Sequence, residues 1–385
     1  MEFRFSPEDE AFRAEVRQFL EAELPRRAPD RIDGWEFHRQ FVRKLADRGW
    51  LTLGWPQEWG GQGAGHLRQL VFNEEMAQAD APANDLGSDR VGPTIILHGT
   101  DEQKRRFLPA IVRGEAVWCQ GFSEPEAGSD LASLQTRAVL DGDSFIINGS
   151  KIWTSLAHYA QWMILLARTD PEAPKHRGIS YFLVDMKTPG ITIAPLTDMA
   201  GRHTFNQVFF ENARIPRDAL LGELNRGWYV ATSTLDFERS GIQRVIGSMR
   251  TYRDLVDYAR DLVRGGRLPS AYESVRMRLA DLQIAFEVGR MLAYRVAWLQ
   301  SRGQVPNYEA SVSKMYGSEL AQQLARTGMQ LLGPAGQLAP GSPWAPLAGR
   351  IESLYLQSAA LTIAAGTSEI NRGIIATRGL ELPRA

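Results

Sequence analysis

The chain reads as an α+β protein of more than one domain, ordered helical block, β-rich block, helical block. Three observations predict this. A helical apolar period occupies the N-terminal part, short β-branched and aromatic runs punctuated by Pro and Gly replace it from about Gln120, and the helical period returns after Gly227. At 385 residues the chain also exceeds what one simple core accommodates.

The first helix is announced by Ser6-Pro7-Glu8-Asp9: a capping hydroxyl, a proline in the first turn, and acids at the positive end of the helix dipole. Phe12, Val16, Phe19 and Leu20 follow at helical spacing and make one apolar face. Further helical patterns cover 35–48, 67–78 and 101–113. Between two of them, Gly60-Gly61-Gln62-Gly63-Ala64-Gly65 lacks the Gly-Lys-Ser/Thr ending of a phosphate loop and reads as a flexible connector.

In the β block, 134–140 and 144–148 flank Asp141-Gly142, which predicts a hairpin. Short strands follow at 162–168, 179–184, 191–196 and 208–210, separated by turns at Pro171, Pro174, Gly178 and Pro189-Gly190. The C-terminal block carries one stripe through Val275, Leu279, Leu282 and Phe286 and another through Val312, Met315, Leu320 and Leu324. Gly265-Gly266 and Gly333-Pro334-Ala335-Gly336 break it. The expected domains are 1–118, 119–226 and 227–385.

Composition excludes several function classes. The apolar fraction of 44% and charged fraction of 23% are ordinary for a globular protein. A net charge of −1 gives no basic field for nucleic acid or an anionic membrane surface. The longest apolar stretch, around 162–167, is too short to span a bilayer. The single cysteine, Cys119, excludes an intrachain disulfide, and with no basic-then-apolar leader a cytoplasmic location is expected. The six His are not at ligand spacing, so no metal is expected; His98, His158 and His203 read as structural or surface residues.

Three motifs carry a family resemblance. Gly121-Phe122-Ser123-Glu124-Pro125-Glu126-Ala127-Gly128-Ser129-Asp130 resembles the first signature of the acyl-CoA dehydrogenases. Asn148-Gly149-Ser150-Lys151-Ile152-Trp153-Thr154-Ser155 and Gly366-Thr367-Ser368-Glu369-Ile370 agree with the same family in order and separation, so the resemblance spans the whole chain. It implies an N-terminal helical domain, a middle β-domain and a C-terminal four-helix bundle. It also implies non-covalent FAD at subunit interfaces, an acyl-CoA substrate, and electrons leaving to an electron-transfer flavoprotein.

Position by position, the resemblance sets Gln120, Phe122 and Ser123 along the flavin, Trp153 beside its face and Ser155 near its N5 and O4 edge. Gln330, Gly333 and Gly336 match a stretch that reaches a neighbouring subunit's FAD, and Thr367 and Glu369 match contacts to FAD phosphate and ribose. Ser129, Asp236, Arg239 and Arg372 match positions lining the CoA channel. Taken singly, Trp153 is a core aromatic and each serine or arginine an ordinary surface group; in register with the signature they read as site residues.

The commonest family pattern puts a glutamate base just before Gly-Thr-Ser, where this chain has Ala364-Ala365. Some members carry the base instead in a Leu-Asp-Leu-Glu-Arg pattern on the first helix of the C-terminal domain, and Leu235-Asp236-Phe237-Glu238-Arg239 matches it. The resemblance therefore implies that Glu238 removes the proton α to the thioester while hydride leaves the β carbon. Ala365 can still serve through its backbone N–H, which with the FAD ribityl hydroxyl would polarise the thioester carbonyl. A carboxylate in an apolar cleft is expected to have a raised pKa. Two alanines also widen the acyl pocket, which favours a branched, aryl or steroid side-chain substrate over a straight one.

Around Arg264-Gly265-Gly266-Arg267-Leu268-Pro269 the chain departs from the usual Arg-x-x-Phe-Gly pattern and resembles base-bearing subunits of heteromeric steroid side-chain dehydrogenases. Assembly is thus either a homodimer or homotetramer, or a heterotetramer with a second acyl-CoA dehydrogenase-like chain. Two other activities fit the same fold class: a reduced-flavin monooxygenase or oxidase, and a non-catalytic subunit that completes a partner's flavin site.

Overall fold

The computed structural model describes residues 4–24, 34–82, 85–239, 242–261 and 272–383, and for 236–239 the backbone alone. The stretch 264–269 and the side chains of Asp236, Glu238 and Arg239 lie outside the described residues.

The N-terminal helices are α1 (Pro7–Glu23), α2 (Trp35–Asp47), α3 (His66–Gln78), α4 (Gly92–His98) and α5 (Asp101–Val112). The strands are β1 (Trp118–Gly121), β2 (Arg137–Asp141), β3 (Ser144–Lys151), β4 (Trp162–Arg168), β5 (Ile179–Asp185), β6 (Ile191–Leu196), β7 (Phe205–Pro216) and β8 (Leu220–Leu221). The C-terminal helices are α6 (Gly227–Arg239), α7 (Gln243–Ile246), α8 (Met249–Asp261), α9 (Glu273–Ser301), α10 (Asn307–Leu332), α11 (Arg350–Leu361) and α12 (Ser368–Ile374). The cap on α1 forms as expected, the Ser6 hydroxyl accepting the Asp9 N–H, and α5 adds a capping box between Thr100 and Gln103.

Contacts divide the chain into two compact units. One holds Arg39–Gly63 and Asn84–Glu238, the other Met1–His38, Ala64–Ala83 and Arg239–Ala385, so the N-terminal helices are shared between them.

The first unit is built on a sheet ordered β6-β7-β3-β2-β4-β5-β8, with β1 pairing parallel to β4. Its central strands are buried on both faces. Along β4, Ile164 and Leu166 enter one apolar cluster while Met163, Leu165 and Ala167 enter another, as the two-residue period of a strand requires. The hairpin turns at Gly142, whose φ of 60° suits glycine. Strand β7 is longer than the apolar run at 208–210, because Asn206 and Gln207 pair with β6 and Ala213–Pro216 pair with β3 beyond a register shift at Glu211 and Asn212. Strand β1 carries no alternation that would single it out; its long-range pairing with β4 defines it.

The glycine-rich connector is a correction. Gly61 lies so close to Trp55 that a Cβ would sit 2.1 Å from the Trp55 carbonyl oxygen, and the Gly63 N–H donates to that same oxygen at 2.9 Å. The glycines let the backbone wrap a buried tryptophan; they do not loosen it.

The second unit joins α1 and α3 to the C-terminal helices. The buried Arg13 guanidinium bridges Glu74 (2.8 Å) and Glu75 (2.6 Å), and the Tyr294 hydroxyl of α9 donates to Glu74 at 2.7 Å. Helices α8, α9, α10 and α11 enclose a core that includes Leu255, Leu282, Phe286, Leu324 and Ile351. Each such side chain contributes roughly 1.5–3 kcal/mol by leaving water.

Candidate active site

In the first unit, the end of β1 and the segment after β3 are joined by one buried cation. Lys151 is the last residue of β3 and 0% exposed. Its ammonium donates to the Phe122 carbonyl at 3.0 Å and to Glu124 Oε1 at 2.8 Å. Glu124 also accepts the N–H groups of Gln135 (2.6 Å) and Thr136 (2.9 Å). Beside this pair the Ile152 N–H donates to the Ser123 carbonyl at 2.9 Å. Gln120-to-Ser123 and Ile152-to-Ser155 are therefore held side by side. Burial opposes the Glu124 charge, yet Lys151 and the surrounding donors outweigh it and keep this carboxyl below its ordinary value. Burial in turn pushes the Lys151 ammonium down to about 8.

The predicted residues of this unit behave differently from one another. Phe122 points inward, 3% exposed and edge-on to Tyr181, so its ring belongs to the core and only its backbone can face a ligand. Gln120 presents a buried Oε1 with no partner among the described residues. Trp153 stands out at 59% exposed, at a φ of +59° that few non-glycine residues adopt, with Phe205 edge-on at 5.9 Å. Ser155 and Ser129 are exposed, and Ser123 is half-buried. Asn206 fixes the Trp153 segment: it is fully buried, exchanges backbone bonds with Thr154, and its side-chain amide donates to the Thr154 carbonyl at 3.0 Å. His158 and His203 stack at 4.2 Å and both face Asn206 Oδ1, which gives them a structural task.

Helix α6, whose backbone runs through Glu238, is tied to this unit by hydroxyls. Thr234 Oγ1 lies 2.9 Å from Thr94 Oγ1 and 3.3 Å from the Tyr181 hydroxyl, and the Thr94 hydroxyl donates to the Arg90 carbonyl at 2.7 Å. His98 Nε2 meets Ser233 Oγ at 3.1 Å. Thr234 precedes Glu238 by four residues, one turn of helix.

In the second unit, the turn after α11 carries Ala365 at φ +56° and Gly366 at φ +86°. A left-handed alanine costs on the order of 1 kcal/mol. Among the described residues no oxygen accepts the Ala365 N–H. The Gly366 carbonyl is taken by Lys314 Nζ (2.7 Å) and Asn371 Nδ2 (2.8 Å). Thr367 caps α12, its hydroxyl accepting the Ile370 N–H at 3.1 Å.

Beside this turn is a cleft of about 730 Å³ whose lining includes Gln330, Thr367, Glu369 and Arg372 together with Arg278 and Arg326. Gln330 is exposed and accepts from Arg278. Arg372 pairs with Glu319 at 2.6 Å, so a ligand must compete for it. Glu369 is held below the ordinary carboxyl value by its own backbone N–H and the Thr367 hydroxyl. Gly333 ends α10 at φ +62°, a conformation suited to glycine, and Gly336 is buried against Leu332 and Met329.

Lys151, Asn206, Lys314 and the Thr94–Thr234–Tyr181 set hold the segments that carry the predicted residues, and motif reading did not single them out. Lys151 left a signal: in β3 it continues the inward-facing series of Phe145 and Ile147. The others become visible only through partners distant in sequence.

The comparisons agree with this architecture. The N-terminal, middle and C-terminal domain profiles of the acyl-CoA dehydrogenases match residues 6–115, 119–213 and 225–380. Acyl-CoA dehydrogenase FadE26 of Mycobacterium tuberculosis is 38% identical over 100% of both chains, and IpdE1 of the same organism 39% identical over 97% of this chain and 98% of its own. Among solved structures, the Tcur3481-Tcur3483 steroid ACAD superposes with a TM-score of 0.91 and the ChsE4-ChsE5 complex from Mycobacterium tuberculosis with 0.90. Each is 38% identical and covered over 100% of both chains. The chain belongs to the acyl-CoA dehydrogenase family of oxidoreductases.

Proposed function

We propose that this chain is an FAD-dependent dehydrogenase that introduces a double bond between the α and β carbons of a bulky acyl-CoA. The observation that carries the reading is the Ala364-Ala365 turn. No side chain there can accept a proton, yet among the described residues the Ala365 N–H has no acceptor, in a held, left-handed backbone. That is the residue pattern of a site that keeps its oxyanion donor and takes its base from elsewhere.

Glu238 is that base. Helix α6, which bears it, is anchored one turn earlier through buried Thr234. Its carboxylate removes the α proton, and the Ala365 N–H donates to the thioester oxygen as charge builds there. The domain boundaries 118/119 and 226/227 belong to the same reading, as do Ser129, Asp236, Arg239 and Arg372 as CoA contacts.

The residues present fit FAD. Gln120 has a buried amide oxygen with no partner among the described residues, Trp153 an exposed indole, and Ser123 and Ser155 stand on the segments held together. The cleft with Gln330, Thr367 and Glu369 is polar, as ribose and phosphate require. When bound, FAD supplies the hydride acceptor. Gln120, Ser123 and Ser155 would meet its ring edge and Trp153 its face; Thr367 and Glu369 would contact FAD phosphate and ribose, and Gln330, Gly333 and Gly336 would reach the FAD of a neighbouring subunit. An electron-transfer flavoprotein is the proposed acceptor.

The relatives support a steroid side chain, among the branched, aryl and steroid chains the widened pocket would admit, and a heteromeric assembly: one similar structure is a steroid ACAD and another the ChsE4-ChsE5 complex. The test is an anaerobic titration of the purified protein with straight, branched, aryl and steroid side-chain acyl-CoAs, following the flavin band. Bleaching by a bulky thioester, lost by about 10²–10⁴-fold in rate in Glu238→Gln, is expected. A bound flavin that no thioester reduces would refute the reading, and a colourless protein that gains flavin only with a second chain would make this chain a completing subunit.

A further inference from the structure

We propose that Lys314 is the positioning residue of the oxyanion donor: its ammonium, by gripping the Gly366 carbonyl, keeps the Ala365 N–H aimed at the thioester oxygen. The inference rests on the reading of Ala365 given above and goes beyond it in naming what holds the donor.

Lys314 sits in the first third of α10 and is 1% exposed, with Nζ 2.7 Å from the Gly366 carbonyl. The Gly366 carbonyl thus takes two donors from different helices, the Lys314 ammonium and Asn371 Nδ2 at 2.8 Å, the latter on a fully buried residue. A second, charged grip is understandable where the backbone resists its conformation. Here two successive residues, Ala365 and Gly366, are both left-handed.

The other end of the turn is gripped from the same helix. Eight residues on from Lys314, about 12 Å along the axis, Gln322 Nε2 donates to the Ser358 carbonyl and the Thr362 hydroxyl, both at 3.2 Å. The Ser368 N–H then closes the loop onto the Thr362 carbonyl at 2.9 Å. Helix α10 is thus a rigid bar that holds the turn before and after Ala365, and a donor held before the charge develops is worth more than one that must reorient.

The experiment compares wild type, Lys314→Met, Lys314→Arg and Gln322→Met as flavin-loaded enzymes binding cinnamoyl-CoA. The absorption of this enoyl thioester moves to longer wavelength when its carbonyl is polarised. Wild type is expected to shift the band, and Lys314→Met to lose most of the shift. Its dissociation constant should change less than about threefold, and turnover should fall about 10²-fold, the size expected for one oxyanion donor. Lys314→Arg should recover part of both. Lys314→Met with the full shift overturns the proposal. If that variant does not fold, Lys314→Arg and Gln322→Met decide it: a shift reduced in both, while the fold and affinity survive, supports the clamp, and an unmoved shift in both refutes it. A wild-type complex bound without any shift removes the Ala365 reading itself, a result distinct from failure of the Lys314 proposal alone.

Discussion

Replacing Lys151 with methionine tests the buried pair that joins the segments 120–123 and 152–155, and the size of the effect can be worked from the structure. Methionine preserves the aliphatic stem, so the change isolates the ammonium. Phe122 loses a charged donor and Glu124 loses its counter-ion, while Glu124 keeps the Gln135 and Thr136 N–H groups. Breaking a buried pair typically costs about 3–5 kcal/mol, and the two retained donors place this case at about 3 kcal/mol. For a cooperative unit of 150–250 residues that is about 6–12 °C in thermal midpoint.

The pH dependence has a definite sign. The folded-state ammonium sits near 8 against an ordinary 10.5. The unfolded chain therefore binds more protons between those values, and the stability owed to this group rises as pH climbs through that window. The difference between wild type and Lys151→Met should grow from pH 8 towards pH 10. Thermal unfolding followed by tryptophan fluorescence at several pH values, with flavin absorbance in parallel, measures both effects. The double variant Lys151→Met/Glu124→Gln should be less destabilised than Lys151→Met, because no charge is stranded. A single variant within about 1 kcal/mol of wild type, or a double variant worse than the sum of its parts, would refute the argument.

Two further outcomes are expected. Gly227→Ala should destabilise by about 1–3 kcal/mol or more, because the new methyl would lie 2.4 Å from the backbone of Ser180 and Tyr181; unchanged unfolding and turnover would contradict that close approach of α6 to β5. Cys119, fully buried with its thiol pushed far above the ordinary value by burial, should resist alkylation by iodoacetamide in the native state and react only on denaturation, as mass spectrometry would report.

The sequence by itself determined what local periodicity and motif spacing can carry. The helix cap at Ser6, the hairpin at Gly142, the runs that become β4 and β5, and the alternation of block types all follow from neighbours within a few residues. So did the family, because its motifs are contiguous. The absence of a carboxylate at Ala365 and the carboxylate at Glu238 were equally legible, although the orientation of the Glu238 side chain lies outside the described residues.

Only the tertiary structure decided which polar groups are internal. Lys151 and Lys314 are both lysines in ordinary-looking stretches, yet burial makes each a fixed donor to a carbonyl 29 or 52 residues away. Trp153 and Phe122 show the same limit from the apolar side: the first is exposed and the second is core, in motifs that treat both as site residues. The short strand β1 and the polar half of β7 exist because distant strands pair with them, not through local preference. Burial and pairing depend on residues far apart in the chain, and a periodic pattern reports only what its own neighbours do.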